Sequence, residues 1–599
     1  MTTHSVPALA VPPDTGGLAE PLFRIAETDP ERTVLSRRTG AGWTGVRAAD
    51  FRDQVCGVAA GLAAAGVAPG DRVALLADNR YEWTLADYAV WTAGAVTVPV
   101  YPSSSPGQVR AILADSGAVC CLVDTAERAL LIDGLRGELP GLRTVRAFDE
   151  DAVEGLTASG ADVTPDELTA RRAAVRPEDP ATLVYTSGTT GPPKGCVLTH
   201  ANFFAEVDNV LAALPELAAP DSAGRGPRTL LFLPLAHVFG RMVQVAAIHG
   251  GVELAHSPSV RELLADLTTF RPTFLLAVPY VLEKILDSAR RQAGGGVRGA
   301  VFAAARNTAV SCSRAMDADG PGPLLRLGRR VFTPLVYRRV LDALGGEVTR
   351  VICGGGALDA RTLHFFRGIG MEVIEGYGLT ETTAAVAATR PGWARPGTVG
   401  PPIPGAEIRV AEDGEVLVRG PQTFTGYWNN AEATAAALRD GWFATGDLGE
   451  FDAEGNLRIT GRKKEILVTA GGKNVQPGPL EDAVRRHPLV GNCMAVGDGR
   501  PFVAMLITLD RPALRRWHAE HGRPEDLDPA ADSELTAELQ KAVDAANTEV
   551  SRAESIRAFR VLPGDFTVSD GTLTPTLKLR RAAILERYAA EVEQIYVRR

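Results

Sequence analysis

Cysteine is scarce and unpatterned here: Cys56, Cys120, Cys121, Cys196, Cys312, Cys353 and Cys493 make an odd number, with no CxxC pair and no zinc-like spacing. That argues against a disulfide framework and for reduced, buried thiols. The pair His518 and His521 in HAEH has no third ligand nearby in sequence and reads as the polar face of a helix. No stretch approaches the roughly 18–20 consecutive apolar residues of a membrane-spanning helix. The N-terminal MTTHSVPALAVPPDTGG lacks the basic start and continuous apolar core of a secretory signal, so a cytoplasmic protein is expected. Basic charge is also short, 63 Lys and Arg against 72 Asp and Glu for a net charge of −9, which argues against a nucleic-acid-binding surface. A locally basic site for a small anion stays compatible with that balance. Fixed-period repeats and low-complexity tracts are missing as well.

What is present is a 599-residue chain, 45% hydrophobic and 23% charged, long enough for several cores. From about residue 50 two periods alternate. DFRDQVCGVAAGLAAAGV has helical apolar spacing, DRVALLA reads as a buried strand, YEWTLADYAVWTAG is helical again, and VTVPVYP and AVCCLVD are further strands. This rhythm predicts an α/β fold of parallel or mixed sheets covered by helices. From about 395 the texture shifts to short strands and turns (GAEIRV, EVLVRG, NLRIT), a smaller β-rich subdomain to about 461. The charged GRKKEI then opens a final α+β segment, so the expected domains are 1–461 and a small mobile C-terminal lid, 462–599.

The most informative stretch is YTSGTTGPPKG, residues 185–195. It follows the strand ATLVY and precedes CVLTHANFFAEVDNVLAAL, read as mostly helix. Glycine-rich turns expose backbone N–H groups that can cradle phosphate. The Walker pattern GxxxxGK[ST] fails, because Lys194 follows Pro193 and Gly195 stands where Ser or Thr belongs. The hydroxyls of Thr186, Ser187, Thr189 and Thr190 precede the lysine instead, a composition suited to gripping and releasing a polyphosphate.

YTSGTTGPPKG resembles the phosphate loop of the adenylate-forming (AMP-binding) superfamily, and further signatures follow in that family's order: CGGGAL (353–358), EGYGLTET (375–382), GWFATGDLG (441–449), GRKKEILVTAGGKNVQP (461–477) and LTPTLKLRR (573–581). LPLAHVFGR, AVPYVLEKI and VTAGGKNVQP are most similar to bacterial long-chain fatty-acid–CoA ligases. The resemblance implies ATP, Mg²⁺ and CoA as cofactor and co-substrates. It assigns the phosphates to Thr186, Ser187, Gly188, Thr189, Thr190, Gly191 and Lys194, and adenine and α-phosphate contacts to Gly355, Gly356, Ala357, Glu375, Gly376, Tyr377, Gly378 and Thr380. Tyr377 can stack on a purine, Thr380 can donate to a phosphate oxygen, and Glu381 with Thr186 offers hard oxygen to Mg²⁺. Asp447 suits a ribose diol, and the resemblance makes Arg462 the second ribose contact.

The resemblance further implies two half-reactions. Lys578 is the expected catalytic residue of the first, its cation offsetting the repulsion between a carboxylate and the α-phosphate. For the second the C-terminal domain swings about Lys464, and Gly471, Gly472 and Lys473 replace Lys578, the glycines admitting the pantetheine arm. His237 matches a position where acyl and pantetheine channels meet and is a candidate catalytic or gating residue.

No acidic residue lies between Arg228 and Glu253, where amino-acid-activating relatives carry an aspartate, and Gly378 replaces the tryptophan with which acetate-using relatives close their pocket. A long acyl substrate is therefore expected, with FLLAVPYVL (274–282) and VAAIHGGVEL (245–254) as tunnel walls or plain core. Two departures stand out: Tyr280-Val281-Leu282, where many relatives carry Arg-Val-Trp, and Gly240, where many carry Glu. Arg326, Arg329, Arg330, Arg338 and Arg339 lie among apolar residues and fit a solvated helix face, a CoA-phosphate site or peripheral contact with a membrane surface. The expected reaction is fatty acid plus ATP to acyl-AMP and pyrophosphate, then CoA to acyl-CoA and AMP. An acyl-AMP ligase loading a carrier protein and an inactive nucleotide-binding scaffold are the alternatives, and a homodimer is left open.

Overall fold

The computed structural model describes residues 2–40, 42–186, 193–220, 224–259, 262–392, 395–524, 527–552, 554–574 and 577–597. The fold is α/β, as the alternating periods predict. The short apolar runs RVALL, VTVPV and CCLV form the buried parallel strands Arg72–Leu76, Val96–Val100 and Cys120–Val123 of a seven-stranded mixed sheet. Helix Tyr81–Thr92 packs on it, burying Trp83, Tyr88 and Trp91, and helix Ala48–Ala64 packs against that helix. A second set of parallel strands, Phe274–Ala277, Arg350–Cys353 and Glu372–Tyr377, ends at the functional residues of CGGGAL and EGYGLTET.

One expectation is corrected. The phosphate loop does not run from strand to helix: Lys194–Thr199 is a strand, antiparallel to Pro180–Thr186 in register Thr186↔Lys194. The helix starts only at His200, where the Thr199 hydroxyl accepts from the Asn202 N–H and Asn202 reaches back to the Thr199 N–H. This capping box is strong enough to set the helix start six residues beyond the lysine. Pro180–Thr186 and Lys194–Thr199 are therefore antiparallel neighbours, and the helix does not begin at the lysine.

The β-rich region is a six-stranded sheet in which Glu407–Val410, Glu415–Arg419, Trp442–Phe451 and Leu457–Arg462 pair antiparallel. The N-terminal residues Thr2–Ser5 add an edge strand to it, against Glu407–Val410. Beyond Arg462 come a short turn, the pair Leu467–Val468 and Asn474–Val475, and a three-stranded sheet of Val490–Val496, Val503–Leu509 and Ile556–Val561 with its own core. All seven cysteines are free, and burial pushes thiols such as Cys120 up to about 12. No helix among the described residues is long and apolar enough to cross a membrane.

Candidate functional site

A cavity of about 770 Å³ lies where these units meet. One end is polar, lined by Thr186, Lys194, Thr380, Glu381, Asp447, Arg462 and Lys578. The other is apolar, lined by Val210, Leu214, Met242, Ala246, Phe274 and Ile352. Both segments read as tunnel or core contribute: Ala246, Ala247 and Val252 from one, Phe274 and Leu276 from the other.

Asp447 and Arg462 meet because they are cross-strand partners, Asp447↔Arg462. Arg462 Nε donates to one Asp447 oxygen at 2.9 Å, and the Tyr377 hydroxyl donates to the other at 2.6 Å. Both oxygens are oriented and each keeps a lone pair for a further donor, the geometry a vicinal diol needs. Burial, then the Asp447 charge, raises the Tyr377 phenol well above its ordinary value, so it stays a donor. This adds to the stacking expected of Tyr377: the hydroxyl fixes the ring plane.

Glu381 sits in the turn Thr380–Thr382 and accepts a 2.9 Å hydrogen bond from the Tyr427 hydroxyl. Lys194 Nζ stands 5.2 Å from the centre of the same Tyr427 ring. Tyr427 thus joins the carboxylate to the lysine, and its strand Gly426–Tyr427 pairs with Lys194–Thr199. Sequence reasoning passed over Tyr427, although FTGYW at 424–428 is a legible aromatic cluster. Thr186 ends its strand at the polar end of the cavity, its hydroxyl 3.5 Å from the Lys194 carbonyl. Ser187, Gly188, Thr189, Thr190 and Gly191 lie outside the described residues.

Lys578 reaches the cavity from the C-terminal domain. Its side chain opens to the cavity while protein surrounds it, so burial, followed by the nearby Arg462 charge, lowers its pKa; Asp447, Glu465 and Glu381 oppose the shift. His237 caps helix Val238–His249, its Nδ1 accepting from the Phe239 N–H at 3.1 Å, which leaves the ring proton on Nε2. Burial and the Lys578 charge push its pKa down to about 4, so it is neutral at physiological pH.

Gly355 lines the cavity with φ of +82°, whereas Gly356, Ala357 and Glu375 do not line it. Glu375 is buried with one oxygen unpartnered, and burial raises its pKa to about 8. Gly376, Tyr377 and Gly378 do line it. A Cβ on Gly378 would fall 1.4 Å from the Ala384 carbonyl oxygen, so this glycine is required by backbone approach and its missing side chain points away from open space. The reading of Gly378 as the opening of the acyl pocket is corrected accordingly. Gly240 has a like reason: its Cβ would lie 2.4 Å from the Pro234 carbonyl, leaving no place for a glutamate.

The structure does not bring Gly471, Gly472 and Lys473 to the cavity. They form the exposed turn between Leu467–Val468 and Asn474–Val475, with Lys473 Nζ 3.3 Å from Glu554. Lys464 is at the cavity rim, in the turn Lys463–Glu465 that links the domains. Two buried groups escaped the sequence reading. Arg241 is fully buried, bonded to Asp87 at 2.7 Å and Thr182 at 2.8 Å, tying the His237 helix to the strand that carries Thr186. Glu206 accepts from the Ala385 N–H at 3.0 Å, and burial raises its pKa to about 8.

This arrangement, an α/β body whose cavity brings Lys578 of the C-terminal segment beside Lys194, Arg462, Glu381 and Asp447, suits a nucleotide-using ligase. The AMP-binding enzyme family model matches residues 22–428 and the AMP-binding enzyme C-terminal domain model residues 464–599, so the chain belongs to the AMP-binding enzyme family. It is 46% identical, over all of both chains, to "Long-chain-fatty-acid--CoA ligase FadD15" of Mycobacterium bovis. It is 31% identical to rat "Long-chain-fatty-acid--CoA ligase 6", over 88% of this chain and 78% of that one. In structure it is similar to the o-succinylbenzoate CoA synthetase MenE of Bacillus subtilis, with a TM-score of 0.70, 21% identity, and 95% and 98% of the two chains covered.

Proposed function

We propose that the protein is an AMP-forming long-chain fatty-acid–CoA ligase. One observation carries this reading: a single cavity of about 770 Å³ is lined both by the polar group that includes Lys578 and by a set of apolar side chains. Full-length identity to FadD15 supports the same substrate class.

In the first half-reaction a fatty-acid carboxylate oxygen attacks the α-phosphorus of ATP, the bond to the bridging oxygen breaks, and pyrophosphate leaves. Asp447 and Arg462 hold the ribose, Tyr377 the base, and Thr380 and Lys194 phosphate oxygens. Lys578 places its ammonium between the two anionic reactants, offsetting their repulsion as charge builds on the phosphoryl oxygens. The Thr186 hydroxyl and Glu381 carboxylate at the same end are hard oxygen donors that fit Mg²⁺ completed by phosphate oxygens and water. When bound, that ion neutralises phosphate charge. In the second half-reaction the CoA sulfur attacks the acyl carbonyl carbon, AMP leaves, and the thiol proton goes to solvent or base. The domain turns about Lys464 so that Gly471, Gly472 and Lys473 replace Lys578 beside neutral His237.

Purified protein given ATP, Mg²⁺, CoA and fatty acids of increasing length tests this. Acyl-CoA and AMP should form, with kcat/KM rising about four-fold per added methylene until the tunnel is full, the value of about 0.8 kcal/mol per buried CH₂. Acyl-AMP accumulating while CoA is unused would instead establish a ligase that loads a carrier protein.

A further inference from the structure

The segment FTGYW, residues 424–428, holds the carboxylate and the lysine of the polar site at once. Its strand Gly426–Tyr427 pairs antiparallel with Lys194–Thr199 through Tyr427↔Cys196. That strand pairs in turn with Pro180–Thr186 through Thr186↔Lys194. The Trp428 N–H donates to the Gly195 carbonyl at 2.7 Å, which anchors the segment one residue from the lysine. On the other side, the Phe424 N–H donates to the Glu381 carbonyl at 2.8 Å, and the Tyr427 hydroxyl to the Glu381 carboxylate at 2.9 Å. One short stretch thus grips Glu381 by both its backbone and its side chain.

The ring of Tyr427 and its hydroxyl have separate tasks. The ring lies edge-on to Phe424, centres 4.9 Å apart, and Phe424 meets Phe443 at 5.3 Å, so packing sets its plane. Lys194 Nζ stands 5.2 Å from the ring centre, within reach of a cation–π contact. Phenylalanine would supply all of this. The hydroxyl is what tyrosine adds, and its bond goes to Glu381. A glutamate side chain turns about several torsions, and fixing one carboxylate oxygen orients the other before any ligand arrives.

We propose that Tyr427 is a positioning residue of the adenylation step, its hydroxyl aiming the Glu381 carboxylate at the ion that accompanies the ATP phosphates while its ring backs Lys194. The inference rests on the reading of Glu381 and Thr186 as oxygen donors to Mg²⁺. It adds that one side chain sets both counter-charges to the phosphates, so carboxylate and lysine keep a fixed relation. Two substitutions separate the tasks. Tyr427→Phe removes the hydroxyl and keeps the ring, and Tyr427→Leu removes both.

Binding of Mn²⁺ to the full-length protein, followed by electron paramagnetic resonance in the presence of α,β-methylene-ATP, reads the hydroxyl's task without turnover. Tyr427→Phe should weaken Mn²⁺ binding about 10- to 100-fold, the usual cost of losing the partner behind a metal ligand. AMP, which lacks the β- and γ-phosphates, and the analogue without metal should bind as they do to wild type. Excess Mg²⁺ should restore pyrophosphate exchange, a split between KM for the ion and kcat that a misshapen site would not show. Tyr427→Leu should in addition bind the metal-free analogue more weakly, because Lys194 loses its support. Glu381→Gln should also weaken Mn²⁺ binding, and adding Tyr427→Phe to it should cost little more, since the hydroxyl acts through the carboxylate. A Glu381→Gln protein that binds Mn²⁺ like wild type would overturn the placement of the ion and this inference together. Defective Glu381→Gln beside normal Tyr427→Phe would overturn the inference alone. So would a Tyr427→Phe protein that loses AMP affinity as much as Mn²⁺ affinity, the mark of a merely structural tyrosine.

Discussion

Two turns of the C-terminal domain are built alike and set in opposite surroundings. In one, the Thr574 N–H donates to the Lys578 carbonyl at 2.8 Å, the Leu577 N–H to the Thr574 carbonyl at 2.8 Å, and the Lys578 N–H to the Thr574 hydroxyl at 3.0 Å. In the other, Thr469, Gly472 and Lys473 make the same three bonds at 3.0, 2.8 and 3.3 Å. The residue before each lysine is left-handed, Leu577 at φ of 61° and Gly472 at 76°. The bonds among Thr574, Leu577 and Lys578 thus repeat those among Thr469, Gly472 and Lys473, with threonine and lysine four positions apart in each. What differs is the neighbourhood: Lys578 sits in the cavity beside Arg462 and Asp447, and Lys473 is outside it, beside Glu554. A domain that presents one turn and withholds its twin can exchange two matched lysines at a single site. The proposed swing about Lys464 needs such a device.

The largest expected effect breaks this pairing from one side. Lys578→Ala should slow ATP–pyrophosphate exchange by about 10²–10³-fold, the usual loss of one aligned electrostatic partner. Conversion of supplied acyl-AMP to acyl-CoA should change by less than about three-fold. Equal loss of both steps would end the division of labour. Lys473→Ala is the mirror: the CoA step should fall by about 10–10²-fold with pyrophosphate exchange intact. A variant that keeps both activities would mean that the glycines alone serve that turn.

The pH dependence sharpens the contrast. Because burial and Arg462 lower the Lys578 pKa, rising pH removes its charge earlier than for an ordinary lysine. The alkaline limb of kcat/KM for ATP, which reports the free enzyme, should lie below the usual lysine value of about 10.4. Lys578→Arg should retain charge and carry that limb upward at reduced activity. Unaltered alkaline limbs would place the titration on another group.

Much of this site was legible in the sequence, for a physical reason. Motifs such as GWFATGDLG and TPTLK are local, and a turn or strand fixed by its own residues can be read from them. The buried strands of the α/β body were legible because short, continuously apolar runs alternate with longer segments of helical spacing. Contacts between distant segments were not. Nothing near Thr2–Ser5 shows that its pairing partner is some 400 residues away. KGCVLT has too few residues to separate strand from helix until the Thr199 cap decides. The Tyr377–Asp447 and Tyr427–Glu381 bonds join motifs that look independent, and Glu206 looks like any helical glutamate until its burial is known. Gly378 shows the converse: the residue was noticed, but its cause, the Ala384 carbonyl, lies on a turn whose course only the fold reveals.

That Glu206 has its own consequence for stability. Its folded pKa of about 8 lies above the ordinary carboxyl value, so the native state keeps a proton that the unfolded chain gives up. Its contribution is whole below the unfolded pKa and is lost as pH rises through about 8. Glu206→Gln keeps an acceptor for the Ala385 N–H without the ionisation, so it should raise Tm at pH 9 relative to wild type while changing it little at pH 5. A Tm difference independent of pH would show that Glu206 does not titrate in this range.

The smallest expected effect tests whether the two turns compete. The Lys473–Glu554 pair joins two residues of the C-terminal domain and is partly exposed, so it contributes roughly 0.2–1 kcal/mol, which Lys473 must give up to engage the cavity. Glu554→Gln removes that advantage without touching either turn. If the orientations interconvert freely, the population should move toward the one that presents Lys473 by about 1.4- to five-fold, the same energy expressed as a ratio. Thiolation of supplied acyl-AMP should quicken within that range, and pyrophosphate exchange should slow only insofar as the Lys578-presenting form is depleted. The directions must be opposite, since one domain cannot offer both lysines at once. A variant that speeds or slows both half-reactions together would show that Glu554 acts on the stability of the domain, and that the withheld turn is not held back by this pair.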